Sequence, residues 1–172
     1  MSRHGKKHSH RNEVTLGSGP FHIPTFNQSA NANKRLIIII KNHSKRTLQA
    51  DVVVDACFPL LNDFTPPTEE TSLPETTLAT FPRTNIPGET CKIYEVAITQ
   101  NTKPFINIFS TGDYNVINGR PAGGLLEISV VAGVGAVVIG GERTGLFFGE
   151  PVSFIPYGSW VIEPEDEPED DC

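Results

Sequence analysis

The 172-residue sequence predicts an all-β domain, a two-sheet antiparallel β-sandwich of the Ig-like or jelly-roll kind with disordered N- and C-terminal tails. Three observations carry this. With 15 glycines and 14 prolines the chain is punctuated too often for long helices and suits short strands joined by turns. Two segments, residues 48–58 and, with Leu126, Ile128 and Val130 against Glu127 and Ser129, residues 124–132, alternate apolar and polar residues with period two, the spacing that sends successive side chains to opposite faces of a sheet. Turn-forming clusters separate the apolar runs at intervals typical of a sandwich. The length suits one domain, placed at residues 14–162 between a basic, His-containing tail at 1–13 and an acidic tail at 163–172.

In chain order, residues 14–26 hold Phe21, Ile23 and Phe26 among Gly and Pro. Pro20 and Pro24 argue against a central strand, so this segment reads as an edge strand or an arm reaching a neighbouring subunit. Leu36, Ile37, Ile38, Ile39 and Ile40 follow, apolar throughout and β-branched at four of five positions, which requires cover on both faces. Polar residues 41–46 then lead to Leu48, Ala50, Val52, Val54, Ala56 and Phe58, alternating with Gln49, Asp51, Asp55 and Cys57; only Val53 breaks the rule. Two apolar runs around a short polar stretch predict a β-hairpin over 36–58. Further strands are predicted at 75–81, 90–99, 104–110 and 124–132, with loops at 82–89, 100–103 and 111–123. Residues 134–139, 145–148 and 152–162 read as edge strands or a wrapping extension, the last interrupted by Pro156 and Gly158.

The formal net charge of −6 is unevenly placed, with +4 in residues 1–12, −7 in 163–172 and −3 between them. Both tails lack the apolar content to fold. An acidic chain is not built to hold nucleic acid across its folded face, because phosphate binding needs clustered Lys and Arg. No apolar run approaches the roughly 20 residues of a bilayer span. Arg3, Lys6, Lys7 and Arg11 precede no apolar stretch, so no secretory signal is read; the expectation is cytoplasmic synthesis, with any surface location reached by another route such as lysis of the producing cell.

The candidate chemistry is sparse. Cys57, Cys91 and Cys172 match no zinc spacing; Cys57 and Cys91 could form a disulfide if their strand ends meet, or stand as unpaired buried thiols. Cys172, at the end of the acidic tail, could make an intermolecular disulfide or remain an idle thiol. His4, His8 and His10 could hold Zn, Ni or Cu loosely, or simply belong to a solvated basic tail. The glycines of residues 133–141 lack the Lys-Ser/Thr of a phosphate loop. Asp51 and Asp55 share the solvent face of one strand, which supplies no cleft for a glycosidase pair. Phe154, Tyr157 and Trp160 could form an aromatic contact surface for a sugar or a protein, or cover the end of the sandwich. No catalytic residue and no cofactor is assigned.

Residues 34–55 (KRLIIIIKNHSKRTLQADVVVD), Ile86-Pro87-Gly88-Glu89 before Tyr94-Glu95-Val96, and Ile108-Phe109-Ser110-Thr111-Gly112-Asp113 together resemble the small β-sandwich surface proteins of spore-forming bacilli, among them exosporium proteins and endospore-appendage subunits. The resemblance covers residues 18–132 and rests on strand-and-turn texture. It implies a structural protein made without a signal peptide, placed on the spore surface and assembled through strand addition and disulfides. Appendage subunits carry Cys in an N-terminal connector, whereas this N-terminal arm has none.

The expected function is therefore that of a non-enzymatic structural or interaction protein that self-associates on a spore or cell surface. The apolar, Gly-rich residues 124–141 are the expected pairing edge. Its expected partners are further copies of itself or other surface proteins. The alternatives are a β-sandwich module binding carbohydrate or protein at its aromatic end, and a capsid-like jelly-roll subunit.

Overall fold

The computed structural model describes residues 13–24, 33–57, 75–98, 105–133 and 151–163. The strands expected at 134–139 and 145–148 and the loop expected at 100–103 lie outside them, as do the tails through residue 12 and from residue 164. The chain forms β1 (Val14–Gly17), β2 (Phe21–His22), β3 (Arg35–Asn42), β4 (Leu48–Cys57), β5 (Thr76–Ile86) and β6 (Cys91–Ala97). It continues through β7 (Phe105–Gly112), β8 (Asn115–Ile117), β9 (Arg120–Ala122), β10 (Leu126–Gly133) and β11 (Pro151–Ile155) to a 3₁₀ turn at Tyr157–Ser159 and β12 (Val161–Ile162).

Two antiparallel sheets pack against each other. The first runs β12-β1-β7-β4-β5, with β2 also on β7; the second runs β11-β10-β3-β6. Along the chain the pairs β4–β5, β3–β6 and β1–β7 are nested one inside the next, the wiring of a rolled-up hairpin and hence of a jelly roll. The core lies between the sheets. Leu36, Ile38, Ile40, Leu126, Ile128 and Val130 face Leu16, Leu48, Val52, Val54, Ile106 and Ile108, all essentially sealed from solvent. Each such side chain contributes about 1.5–3 kcal/mol.

β4 follows its sequence pattern through all ten residues, with Leu48, Ala50, Val52, Val54 and Ala56 buried and their neighbours half-buried. Val53 breaks the alternation because its register partner on the outer face is Phe109 of β7, so it meets an apolar side chain there.

The expected hairpin over 36–58 does not form. β3 and β4 exist where the sequence places them but belong to different sheets, β3 lying between β10 and β6 and β4 between β7 and β5. The reason is the all-apolar run: a central strand of the second sheet has flanking strands to shield Ile37, which is 2 % exposed although it points away from the inter-sheet core. The polar residues after β3 are consequently an arch between sheets. Asn42, fully buried, holds it: its Nδ2 donates to Arg46 O (2.8 Å) and Ile86 O (2.9 Å), while its Oδ1 accepts from Ser44 N (2.9 Å) and Ser44 Oγ (2.8 Å). One amide thereby ties the end of β3 to the end of β5 in the opposite sheet.

Two expected loops also contain strand. β5 continues through Pro82 to Ile86, which an edge strand tolerates because a missing N–H can face solvent. Residues 115–122 form the β8–β9 hairpin, turned by Asn118 (φ 53°) and Gly119 (φ 72°), the positive-φ pair that a tight hairpin favours. β1, expected at an edge, has β7 on one side and the two-residue β12 on the other. Residues 151–162 supply edge strands to both sheets, β11 to the second and β12 to the first.

Candidate functional site

The polar residues nearest the core form a structural set. The β4–β5 register shifts between Ala50 and Val52, and Asp51 falls outside the regular pairs of β4 with both β5 and β7. Ser110 Oγ, fully buried on β7, donates to the Asp51 carbonyl at 2.6 Å. Its single hydrogen being used there, Ser110 accepts from Tyr114 Oη, also at 2.6 Å. Thr111 N donates to Asp51 Oδ1 (3.2 Å), and Asp113 Oδ2 accepts from Gln49 N (2.8 Å) while its own N–H donates to Gln49 O (3.0 Å). Between them Gly112 lies so close to β4 that a Cβ would stand 2.5 Å from Gln49 O. The Ser110-Thr111-Gly112-Asp113 run thus fastens β7 to the irregular stretch of β4, and offers no nucleophile paired with a base. Asp55 likewise accepts from Thr77 Oγ1 at 2.7 Å. Among the described residues no group of three or more His, Cys, Asp or Glu gathers to hold a metal.

The aromatic surface expected from Phe154, Tyr157 and Trp160 is not assembled. Trp160 is 2 % exposed and belongs to the core, Phe154 is 61 % exposed on β11, and Tyr157 lies half-buried against Tyr114 with ring centroids 6.3 Å apart. Alternation along a strand explains Phe154, whereas the 3₁₀ turn swings Trp160 inward. Tyr157 Oη lies 3.4 Å from the carbonyls of both Asn115 and Ala122, so it straddles the base of the β8–β9 hairpin. Burial pushes the Tyr157 phenol up to about 12, with a further rise from Glu127. The same cause raises Tyr114 still further, against the lowering effect of its bond to Ser110. Beside this end, Gly119, Arg120, Pro121, Gly158, Ser159 and Val161 line an open depression of about 460 Å³. Arg120, Ser159 and Trp160 bring its polar side-chain atoms, and among the described residues that line it there is no carboxylate or imidazole.

The two described cysteines do not meet. Cys91 begins β6 opposite Lys41, at the end of the sandwich where Asn42 holds the arch and Leu48 begins β4; Cys57 ends β4 ten residues along, about 30 Å away at strand rise. Both are free, Cys57 half-buried and Cys91 exposed, so the buried-thiol alternative fails for Cys91 as well. Cys172, His4, His8 and His10 lie outside the described residues.

The expected pairing edge is also corrected. Within residues 124–141, β10 is a central strand, hydrogen-bonded to β3 on one side and β11 on the other, and so has no free edge; residues 134–141 lie outside the described set. Among the described residues the long free edges belong to β5 and β6. β5 is guarded: its register shifts twice, it contains Pro82, and Arg83 is held by Glu13 with Nη2 to Oε1 at 2.8 Å. β6 pairs with β3 in unbroken register from Cys91 to Ala97 and contains no proline.

Beside β6 the outer face of the second sheet is largely apolar. The residues of β3 that turn away from the core are Arg35, Ile37, Ile39 and Lys41. The register partners of Ile37 and Ile39 are Val131 and Ser129 on β10 and Glu95 and Ile93 on β6, and Phe154 of β11 lies beside Val131; Lys41 stands between Glu127 and Cys91 at the end of this face. Ile93 is 41 % exposed at the rim. Arg35 and Glu95 interrupt the apolar surface as an ion pair, Nε to Oε1 at 3.1 Å. Sequence reasoning had the all-apolar β3 and a strand at 90–99, but needed the pairing order to see them as one surface.

Among the described residues, no helix is long and apolar enough to cross a membrane. No family model, no curated protein and no solved structure matches the chain.

Proposed function

We propose that this chain is a non-enzymatic structural protein that associates with copies of itself, or with other surface proteins, through an open sheet edge, and that it serves on a spore or cell surface. The observation that carries the reading is β6, among the described residues an edge strand of seven residues without proline or register shift, whose outward side chain Ile93 adjoins the apolar outer face of its sheet. An edge of this kind presents a row of backbone donors and acceptors to a strand from another chain. The polar constellations fit the same reading, since each is spent on holding strands together. The spore-surface location rests on the sequence resemblance.

Light scattering coupled to size-exclusion chromatography tests self-association. The full chain should elute as a discrete oligomer or a concentration-dependent series, and should do so with and without reductant, because strand addition needs no disulfide. A strict monomer at high concentration in both conditions rejects it.

A further inference from the structure

The register of the second sheet identifies which backbone groups of β6 are open. Asn42 N donates to Thr90 O and Ile98 N donates to Lys34 O, bracketing the β3–β6 ladder at both ends. In an antiparallel pair the mutually bonded positions recur at every second residue. Lys92, Tyr94 and Val96 therefore bond inward to β3, opposite Ile40, Ile38 and Leu36, and Cys91, Ile93, Glu95 and Ala97 turn their N–H and C=O groups to the open edge. These are also the residues whose side chains share the outer face with Ile37 and Ile39. Backbone valence and exposed apolar surface thus fall on the same residues.

We infer that a second copy of this chain occupies the edge, β6 pairing antiparallel with β6 about a two-fold axis at Ile93, so that the two second sheets become one continuous sheet. This rests on the self-association proposed above and names its geometry. A two-fold axis perpendicular to the sheet keeps both cores on the same side and pairs odd residues with odd, as the open backbone groups require. With Ile93 facing the second copy's Ile93, the two exposed isoleucines cover each other, flanked by Ile39 of each copy. Cys91 then faces the second copy's Glu95. Across the small cysteine stands Lys41 of the same copy, opposite in charge to the second copy's Glu95. On the core side, Lys92 faces the second copy's Tyr94, repeating across the axis the contact it makes within its own strand, where its ammonium lies 5.9 Å from the Tyr94 ring centroid. The neighbouring register, centred on Tyr94, sets Glu95 directly against Ile93 and leaves the isoleucines apart.

Two variants test the axis. In Ile93→Pro the lost N–H is one that points to the open edge, so the β3–β6 ladder of each copy is kept while the central bonds of the pairing are removed. Light scattering should show the β6-linked oligomer reduced to its half-mass species, with unchanged far-UV circular dichroism. In a C57S/C172S background, Glu95→Cys should trap a covalent dimer with the native Cys91 under mild oxidation, because directly opposed bonded residues have Cα atoms about 5.5 Å apart, within disulfide reach. Within one chain those two cysteines are four residues apart along an extended strand and cannot join. Ala97→Cys in the same background should remain uncrosslinked, and its crosslinking in place of Glu95→Cys would move the axis to Tyr94 and overturn the register. An oligomer that survives Ile93→Pro, with no Glu95→Cys dimer, overturns the β6 pairing and leaves self-association standing through another surface. A strictly monomeric wild type overturns both.

Discussion

Ser110 shows how a single side chain sustains an irregular strand. The β4–β7 ladder skips Asp51, whose side chain takes the Thr111 N–H, and Ser110 Oγ at 2.6 Å supplies its carbonyl with a donor while receiving Tyr114. Removing that hydroxyl strands a buried acceptor and a buried donor, so Ser110→Ala should destabilise the fold by about 1–3 kcal/mol. Gly112→Ala should cost a similar or larger amount for a different reason, because its methyl group would enter the space held by Gln49 O and force β7 from β4. Urea denaturation checks both: each midpoint should fall with an unchanged slope, and wild-type midpoints would refute the fastening role. These residues were legible in the sequence as polar positions near strand ends. Their task was not, because it depends on a gap in the ladder at Asp51, 60 residues from Thr111 in the chain.

At the scale of elements, the strands that a period-two pattern defines were the ones read from sequence most faithfully. β4 and β10 bury the residues that the alternation assigns to the core. The β8–β9 hairpin was read as a loop although its Asn118-Gly119 pair is a strong turn signal, because its three-residue arms are too short to establish a period. Edges were the least legible feature: whether a strand has one neighbour or two is a property of its surroundings. β5 and β6 differ in how their edges are protected, and that difference can be measured. Pro82→Thr should restore an N–H donor to an 11-residue edge strand and raise the protein's tendency to associate, seen as higher apparent mass at equal concentration. An unchanged mass distribution would show that Pro82 does not guard that edge.

For the molecule as a whole, two phenols, Tyr114 and Tyr157, link stability to alkaline pH. In the unfolded chain both tyrosines titrate near 10; in the folded chain burial holds Tyr157 up to about 12 and Tyr114 beyond it. Between those values the unfolded state has released protons that the folded state retains, so stability is level below about pH 9 and falls as pH rises above 10. Tyr114, almost fully buried, should alone contribute a slope approaching about 1.4 kcal/mol per pH unit there. Urea midpoints between pH 8 and 11.5 measure it: the wild type should decline above pH 10, and Tyr157→Phe should decline less steeply. A flat profile for the wild type would rule the linkage out. The same tyrosines join the 3₁₀ turn to the β8–β9 hairpin, so the alkaline transition should loosen that end first.

That this chain is built of strands, and in β4 and β10 which side chains point inward, can be read from the residues alone. Both follow from the local geometry of an extended backbone, whose two-residue period any short stretch reveals. Long-range pairing sets β3 and β4 in different sheets, makes β10 central rather than an edge, and puts Cys57 and Cys91 at opposite ends. The same polar stretch, residues 43–47, can close a hairpin or bridge two sheets. What selects between them is the burial of both faces of β3 by β10 and β6, contributed by residues 50 to 100 positions further along the chain.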